Sequence, residues 1–273
     1  MDARILITGA NGYIGSTLVN NLEGEITKLT RAEADLTNAE QVDEFFKDKK
    51  FDIVIHCATS GGNRLKSDSS DVTHQNLQMF YNLLRNKKHY KKLINIGSGA
   101  EFDRRTKICP VWNDNKYPTD PYGMSKHIIN QLIHNIDNFY TVRVYAVFDE
   151  NELDTRFIKA NIKRYINKEP IVIHKDKIMD FFYMKDFINV INYYINNERP
   201  PKEIDCTYEW SYHLYDIAQT INELDEHKVE IQCSSDFDNP YFGDKMPLEI
   251  LKVKLIGLKD GIKEVYEKII NMY

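Results

Sequence analysis

The fold is decided by the stretch Ile5-Leu6-Ile7-Thr8-Gly9-Ala10-Asn11-Gly12-Tyr13-Ile14-Gly15 near the start of the chain. Its first four residues are typical of a buried strand, and the glycine-rich turn after them leads into a helical pattern. Glycines at these positions let backbone N–H groups approach a pyrophosphate, and the helix N-terminus adds the positive end of its dipole. The spacing is GxxGxxG, which a strand-to-helix turn without a ligand would also satisfy. Because the turn follows the first strand of a β-α-β series, it favours a dinucleotide site.

The composition is that of a globular protein. The chain has 273 residues, of which 42% are hydrophobic and 28% are charged, so a disordered or collagen-like chain is excluded. Its formal net charge is -5, which provides no positive field to concentrate nucleic acid or an anionic membrane. A phosphate ligand must therefore be bound by local groups, and neither nucleic acid nor a membrane is expected as a partner.

The cysteines and the hydropathy of the chain indicate a cytoplasmic protein. No CxxC pair and no His/Cys cluster with metal-ligand spacing is formed by the four cysteines, Cys57, Cys109, Cys206 and Cys233. Neither a metal site nor a disulfide framework is expected, which fits a reducing compartment. No segment has the apolar length of a membrane span, and the first residues lack a signal-peptide pattern.

Apolar segments alternate with helical patterns through the first half of the chain, as in a parallel sheet covered on both faces. We predict an α/β fold, with a Rossmann-like doubly wound parallel sheet and a small C-terminal substrate-binding lobe. Residues 1–150 are expected to form the dinucleotide-binding domain, rejoined by about residues 176–200, and residues 151–273 to form most of the lobe. The predicted strands are Ile5–Thr8, Glu25–Thr30, Asp52–His56, Leu93–Ile96, Thr141–Tyr145 and Ile171–Ile173. The predicted helices are Gly12–Leu22, Ala39–Lys49, Asp71–Asn86, Pro121–Ile136, Asp154–Asn167, Met184–Asn196 and Leu214–Glu223, in a second half that otherwise ends in a polar, aromatic tail.

The end of the second predicted strand bears on the choice of cofactor. NAD-binding proteins of this fold place a carboxylate there to hold the ribose hydroxyls, whereas this chain has Thr30-Arg31. A guanidinium suits a 2'-phosphate, so NADP(H) is favoured and NAD(H) is the alternative. Arg31 as an ordinary solvated residue is an equally simple interpretation. Asp35 and Leu36 lie where contacts to the adenine edge are expected, and the same pair would suit a helix entry.

Tyr122 and Lys126 are four residues apart in a predicted helix, so their side chains share one face. A nearby ammonium stabilises a phenolate and lowers the pKa of tyrosine, which lets the phenol exchange a proton with a substrate oxygen near neutral pH. Ser98 follows another predicted strand, at the sheet edge where ligands of open α/β sheets bind. Its hydroxyl is placed to hold the same oxygen. A YxxxK pattern is common by chance, and the position of Ser98 is what favours a catalytic interpretation of this one.

Together these residues resemble the extended short-chain dehydrogenase/reductase family, especially its nucleotide-sugar epimerase, dehydratase and reductase branch. The resemblance covers nearly the whole chain and includes Asp180–Asp186, which is similar to the family's R-D-F-x-x-V-x-D segment. It implies that Ser98, Tyr122 and Lys126 are catalytic, with Lys126 also holding the nicotinamide ribose. The full set expected to bind the cofactor is Gly9, Asn11, Gly12, Tyr13, Ile14, Gly15, Thr30, Arg31, Asp35, Leu36, Cys57, Ala58, Thr59, Asn76, Tyr122 and Lys126. The set expected to bind the substrate is Ser60, Gly61, Ser98, Ala100, Arg156 and Lys159.

Departures from the family pattern narrow the reaction. Dehydratases of this branch carry an Asp-Glu pair after the catalytic hydroxyl, whereas this chain has Gly99 and Ala100, so elimination of water is not expected. GDP-fucose synthases resemble this chain in Thr30-Arg31 and in Ser60-Gly61-Gly62. Their epimerising Cys and His correspond here to Ala100 and Arg156, so the hydride step is expected without the proton shuttle.

Two further departures affect recognition of a diphosphate. Met179 replaces the arginine that usually precedes the Asp-Phe pair, and Ala146 replaces an asparagine. Both family residues normally lie near the sugar nucleotide. We therefore expect another cation to take over the diphosphate, and the candidates are Arg156, Lys159 and Lys175.

The leading hypothesis is an NADPH-dependent reductase of a 4-keto nucleotide sugar, acting in nucleotide-sugar biosynthesis for surface glycans. An NAD-dependent nucleotide-sugar 4-epimerase would use the same three catalytic residues but would retain its cofactor. A redox sensor that binds NADP(H) and a partner protein is a third hypothesis, although a sensor does not need all three residues. The resemblance also implies a homodimer, formed through the helices at Asp71–Asn86 and Pro121–Ile136.

Overall fold

A six-stranded sheet runs through the computed structural model, which describes residues 3–63, 67–102, 117–245 and 251–272. Its strands are β1 Arg4–Thr8, β2 Glu25–Leu29, β3 Phe51–His56, β4 Tyr90–Ser98, β5 Phe139–Val144 and β10 Glu203–Asp205. Their order is β2-β1-β3-β4-β5-β10, and β1 pairs in parallel with both β2 and β3. The chain passes from β1 outward to β2 and returns to β3 on the other side of β1. This reversal of strand order is that of a Rossmann-like sheet, so the predicted fold class is confirmed.

Helices follow the strands of this sheet: α1 Tyr13–Asn21, α2 Ala39–Phe46, α3 Asp71–Arg85 and α4 Pro121–His134. The sequence fixes where two of them begin. The Asn38 side chain accepts a hydrogen bond from the backbone of Gln41 at the start of α2, and Asp120 accepts one from Gly123 at 2.7 Å at the start of α4. Pro121 lies at the first helical position of α4, where its missing N–H removes no helix bond.

The described residues divide into two compact units. The first lies within Met1–Asp103, Asp114–Arg143 and Ile191–Ile204, and the second within Val144–Val190 and Asp205–Tyr273. Short strand pairs of the second unit are β6 Val147–Phe148 with β9 Phe182–Tyr183, β7 Ile171–Ile173 with β12 Ile231–Cys233, and β8 Ile178–Met179 with β11 Tyr212–His213. Its helices are α5 Phe157–Ile166, α7 Leu214–Asn222 and α8 Leu258–Ile270, and residues of α6 Met184–Asn196 belong to both units.

Each unit has its own hydrophobic core. In the first unit the core includes Leu6, Phe46 and Phe80, all fully buried. In the second unit it is built around Tyr165 and Ile262, also fully buried. Removal of these apolar side chains from water is the main term that stabilises each unit.

The strand β10 and the helix α8 are among the elements that the sequence patterns do not predict. β10 is three residues long and carries two acidic residues, so it has no apolar pattern of its own. The expectation of a polar tail is wrong for α8, where Leu258, Ile262, Val265 and Ile269 recur at helical spacing and are buried.

A buried ion network supports the sheet in the first unit. The guanidinium of Arg143, on β5, pairs with the carboxylates of Glu101 and Glu203, and Asn130 donates hydrogen bonds to both carboxylates. An uncompensated charge at this depth would be costly. The network therefore fixes β5 and β10 against the turn that follows Ser98.

Lys92, on β4, holds the end of α6. Its Nζ donates hydrogen bonds to the carbonyl oxygens of Tyr194 at 2.7 Å and Asn197 at 2.6 Å. Carbonyl groups at a helix C-terminus form the negative end of its dipole, so a cation is stabilising there.

We expect Lys92→Met to lower the free energy of unfolding by about 1 to 3 kcal/mol, because these carbonyl groups lose a charged donor. Lys91→Met is the matched control, since its exposed ammonium pairs with Asp52 at 2.8 Å and should contribute less than about 1 kcal/mol. Urea unfolding followed by circular dichroism measures both variants. Equal stability of the two would contradict the role of Lys92 at the helix end.

Candidate active site

A cavity of about 510 Å³ opens in the first unit at the carboxyl ends of β1, β2 and β3. The glycine-rich turn follows β1, Thr30 and Arg31 follow β2, and Cys57 follows β3. Ligands of open α/β sheets bind at such a reversal of strand order. The sequence-predicted cofactor residues that line this cavity are Gly9, Gly12, Tyr13, Ile14, Gly15, Thr30, Arg31, Asp35, Leu36, Cys57, Ala58, Thr59 and Tyr122.

The turn between β1 and α1 leaves no room for a side chain at Gly9 or at Gly15. Gly9 has a φ of +63°, and a Cβ at this residue would lie 2.7 Å from the backbone nitrogen of Ala58. A Cβ at Gly15 would lie 2.2 Å from the carbonyl oxygen of Gly9. Among the described residues no side chain caps α1 at Gly12, and the N-terminus of a helix favours an anion. The turn therefore fits the pyrophosphate of a dinucleotide.

The end of β2 forms a small turn that the sequence analysis did not foresee. Thr30 donates hydrogen bonds from its backbone N and its Oγ1 to the Glu33 carboxylate, at 2.8 and 2.6 Å. These bonds hold the pKa of Glu33 below its usual value. Asp35 is engaged in the same way by the backbone N and Oγ1 of Thr37. Arg31 is exposed and lines the cavity, so it offers its charge to a ligand there.

Apolar residues line the cavity beside this turn. Sequence reasoning included Leu36 and Ala58 but missed Leu29, Ala34 and Met79. Met79 lies on α3, fifty residues after the end of β2 in sequence, and only its recurrence in an apolar helical stripe hinted at burial. Together these side chains form an apolar surface suited to a flat ring.

The two titratable side chains at the end of β3, His56 and Cys57, do not change protonation state near neutral pH. His56 is buried and shares a 2.9 Å hydrogen bond between its Nδ1 and Oγ1 of Thr8. Burial, with a smaller contribution from the charge of Lys126, lowers the pKa of His56 to about 3, so the ring is neutral. Burial also raises the pKa of Cys57 to about 12, so its thiol stays protonated.

Ser98 is the last residue of β4 and is buried. Its Oγ accepts a hydrogen bond from the backbone N of Ala100 at 3.2 Å. The hydroxyl hydrogen is therefore directed away from that bond and can be donated elsewhere. Glu101, the carboxylate nearest in sequence, is held by Arg143, and the turn that contains it packs against α4.

Tyr122 and Lys126 lie one turn apart in α4, as the spacing predicts. Lys126 is buried, and its Nζ donates a 2.8 Å hydrogen bond to the carbonyl oxygen of Ile96 on β4. The same Nζ lies 5.6 Å from the centroid of the Tyr122 ring. Burial lowers the pKa of Lys126 to about 8, against the opposing effects of Cys57 and Glu101.

Some predicted residues lie outside the cavity lining. Asn11 is exposed in the turn before α1, and the buried Asn76 bonds the backbone of Ser60. Gly61 is part of the lining, and so is Gly62, which the sequence analysis did not include in the site. No group of three or more His, Cys, Asp or Glu residues that could hold a metal occurs within the described ranges.

Arg156 and Lys159 belong to the second unit, at the start of α5. The ammonium of Lys159 is already bound within the protein, because its Nζ contacts Asp154 at 2.9 Å and the carbonyl oxygen of Glu152 at 2.7 Å. Arg156 lies 3.6 Å from the buried carboxylate of Glu152, with about a third of its side chain exposed. Burial raises the pKa of Glu152 to about 7 although both cations oppose the shift.

We expect Lys126 to titrate near pH 8 in the cofactor-free protein, because the buried site disfavours its charge. An unfolded lysine keeps its proton to about pH 10.4, so this group makes the folded state more stable as the pH rises between these values. NMR of ¹³Cε-labelled lysine, assigned with Lys126→Met, measures the midpoint. A midpoint above pH 10 would show that the ammonium is not desolvated.

Comparisons with known proteins agree with this geometry. The model of the NAD dependent epimerase/dehydratase family matches residues 5–206. A GDP-6-deoxy-D-talose 4-dehydrogenase from Aggregatibacter actinomycetemcomitans is 24% identical, over 84% of this chain and 82% of its own length.

No helix within the described ranges is both long and apolar enough to span a membrane.

Solved structures share the fold over nearly the whole chain. A GDP-mannoheptose C4 reductase from Campylobacter jejuni, with NADP bound, superposes with a TM-score of 0.81 at 21% identity and covers 97% of this chain and 98% of its own. A UDP-glucuronic acid 4-epimerase variant from Bacillus cereus, in complex with NAD, superposes with a TM-score of 0.77 at 19% identity, covering 98% and 99%. Both a reductase and an epimerase are thus built on this fold.

Proposed function

Since the chain belongs to the NAD dependent epimerase/dehydratase family, we propose that it is an NADPH-dependent reductase of a 4-keto nucleotide sugar. The proposal is supported by one observation: the buried ammonium of Lys126 lies 5.6 Å from the centroid of the Tyr122 ring and bonds β4 near its end, two residues before Ser98. The positions after the serine, Gly99 and Ala100, provide neither acid nor base, and Glu101 is neutralised by Arg143. This set can protonate a carbonyl oxygen but offers no group to eliminate water.

The residues divide the reaction between them. NADPH, when bound, supplies the hydride that reaches the carbonyl carbon. Tyr122 donates its phenolic proton to the carbonyl oxygen, and Ser98 donates a hydrogen bond to the same oxygen. Lys126 stabilises the phenolate that remains, because its ammonium is held close to the ring and away from bulk water.

Incubation with NADPH and a panel of 4-keto-6-deoxy nucleotide sugars tests the reaction. Loss of NADPH absorbance together with a product heavier by two hydrogens would support a reductase. No turnover with any member of the panel would reject this function and favour the epimerase or the sensor.

We expect Tyr122→Phe to lower turnover by about 10²- to 10⁴-fold while leaving the Kd for NADPH nearly unchanged. The substitution removes the proton donor but keeps the ring that lines the cavity. Steady-state kinetics and a fluorescence titration of NADPH measure the two quantities. Turnover within threefold of the native protein would remove Tyr122 from the mechanism.

The preference for NADP(H) is attributed to Arg31. Its side chain is exposed at the edge of the cavity, whereas the nearby carboxylates of Glu33 and Asp35 are engaged by threonine residues. A 2'-phosphate would therefore meet a cation first. The NADP bound to the C. jejuni reductase is consistent with this choice.

We expect Arg31→Ala to weaken NADPH binding by about 10- to 150-fold, which corresponds to a charge-assisted bond of about 1.5 to 3 kcal/mol. NADH binding should change little, because only the 2'-phosphate loses a partner. Lys28→Ala, which removes an exposed cation outside the cavity lining, is the matched control. Equal affinity of the native protein for NADH and NADPH would show that Arg31 does not bind the 2'-phosphate and is an ordinary solvated residue.

An NAD-dependent 4-epimerase is the second candidate, favoured by the likeness to the NAD-bound B. cereus epimerase. Such an enzyme oxidises and then reduces the same carbon, so it keeps its cofactor. Measurement of bound nucleotide after desalting separates the two: stoichiometric NAD supports the epimerase, and a cofactor-free protein supports the reductase.

Three broader parts of the proposal concern assembly, substrate contacts and location. A homodimer would be formed through α3 and α4, whose residues Leu77, Leu84 and Leu132 are only partly buried. For the diphosphate of the substrate, Arg156 is a better candidate than Lys159, whose ammonium is already bound by Asp154.

A cytoplasmic location is in keeping with Cys57, Cys206 and Cys233, none of which forms a disulfide within the described ranges; Cys109 lies outside the described residues.

A further inference from the structure

A glycine segment from another part of the chain contacts the ring of Tyr122. This segment, Ser60–Gly62, follows β3, and both of its glycines line the same cavity as Tyr122. Gly61 and Gly62 have φ values of +76° and +75°, in the left-handed region that favours glycine. A Cβ on Gly62 would lie 3.0 Å from both Cε2 and Cζ of Tyr122. The backbone of the glycine segment therefore packs against the end of the ring that carries the hydroxyl.

The glycine segment is held from behind by side chains of the first unit. Asp68 accepts a hydrogen bond from the backbone N of Gly62 at 2.9 Å. A Cβ on Gly61 would lie 2.7 Å from both Oδ1 of Asp68 and Cγ1 of Val72. The segment thus has little room to retreat from the tyrosine ring.

Asn76 connects the glycine segment to the helix that carries Tyr122. Its Oδ1 accepts a hydrogen bond from the backbone N of Ser60 at 2.7 Å, and its Nδ2 donates to the carbonyl oxygen of Ser60 at 3.0 Å. The same Nδ2 donates to Oγ of Ser125 at 2.9 Å. Ser125 in turn donates to the carbonyl oxygen of Tyr122 at 2.6 Å. Asn76 and Ser125 are both buried, so this path is shielded from water.

We propose that the glycine segment, braced by Asn76 and Ser125, is a positioning element that fixes the Tyr122 phenol for proton transfer; its kinetic consequence rests on the proposed function. Gly62 limits the ring from one side, and Ser125 fixes the backbone from which the ring extends. Proton transfer requires the phenol within hydrogen-bond reach of the substrate oxygen. A displacement of about 1 Å costs about 100-fold in rate, so a single methyl group on Gly62 should be felt in turnover.

The central test is a double-mutant cycle between Gly62→Ala and Tyr122→Phe. In the native background Gly62→Ala should lower kcat by about 10- to 100-fold, with the Kd for NADPH changed by less than about threefold. In the Tyr122→Phe background it should lower kcat by less than about threefold, because the phenol that it displaces is already absent. An equal loss in both backgrounds would indicate general damage to the site and would overturn the proposal.

Two further variants control for strain and for folding. Gly257→Ala also places a side chain at positive φ, +95°, but nothing lies within 4 Å of its Cβ, so kcat should stay within about twofold of the native value. Ser125→Ala removes the hydrogen bond to Tyr122 without adding bulk, and should lower kcat with the same dependence on the phenol. If Gly62→Ala does not fold, Ser125→Ala completes the cycle. A loss of kcat by Ser125→Ala that is independent of Tyr122 would count against the proposal.

A spectroscopic measurement keeps this inference separate from the proposed function. Protein labelled with 3-fluorotyrosine gives a ¹⁹F resonance for Tyr122, assigned by its absence in Tyr122→Phe. The shift of this resonance should change in Gly62→Ala and remain unchanged in Gly257→Ala, whether or not any nucleotide sugar is turned over. An unchanged Tyr122 resonance in Gly62→Ala would overturn the proposed contact even if the enzyme is a reductase.

Discussion

The close approach of α1 to the end of β1 is the constraint on which the site depends. The helix can start this near the strand only because Gly15 has a hydrogen atom in place of a side chain, and Gly9 likewise lets the turn pass close to the backbone of Ala58 after β3. The N–H groups at the start of α1 then face the carboxyl edge of the sheet. Because β2 and β3 lie on opposite sides of β1, the ends of three strands surround one opening. Backbone geometry, rather than net charge, thus creates the place for an anion in an acidic protein.

The buried cations near the proposed catalytic residues differ in whether a carboxylate pairs with them. Arg143 and its two carboxylate partners compensate each other, so this cluster is structural. Within the described ranges Lys126 forms no ion pair with a carboxylate, and its Nζ donates instead to the carbonyl oxygen of Ile96. Its charge is therefore easily lost, and a nearby anion would stabilise it. A cation held in this condition is suited to respond to the charge that would form on Tyr122 in the proposed reaction.

The sequence predicted those features that are local or periodic. The strands β1 to β5, the start of α4 at Pro121, and the spacing of Tyr122 and Lys126 all depend on residues close in the chain. β10 was not predicted, because three residues without an apolar pattern form a strand only where they can pair with the edge of β5. The contacts of Asn76 with Ser60 and Ser125 span 16 and 49 residues of sequence. The approach of Gly62 to Tyr122 spans 60 residues. No local pattern reports such contacts, so the sequence could not show that Asn76 also packs the site.

The late position of β10 has a consequence for how the protein is made. β5 leaves the ribosome about 60 residues before β10, which later covers its free edge. During that interval a nascent chain presents unpaired N–H and C=O groups along β5, on a strand whose residues are almost all buried in the finished protein. Such an edge is a template for pairing with other chains. The sheet is therefore completed only late in synthesis, and slow translation of this stretch would lengthen its exposure to aggregation or to capture by chaperones.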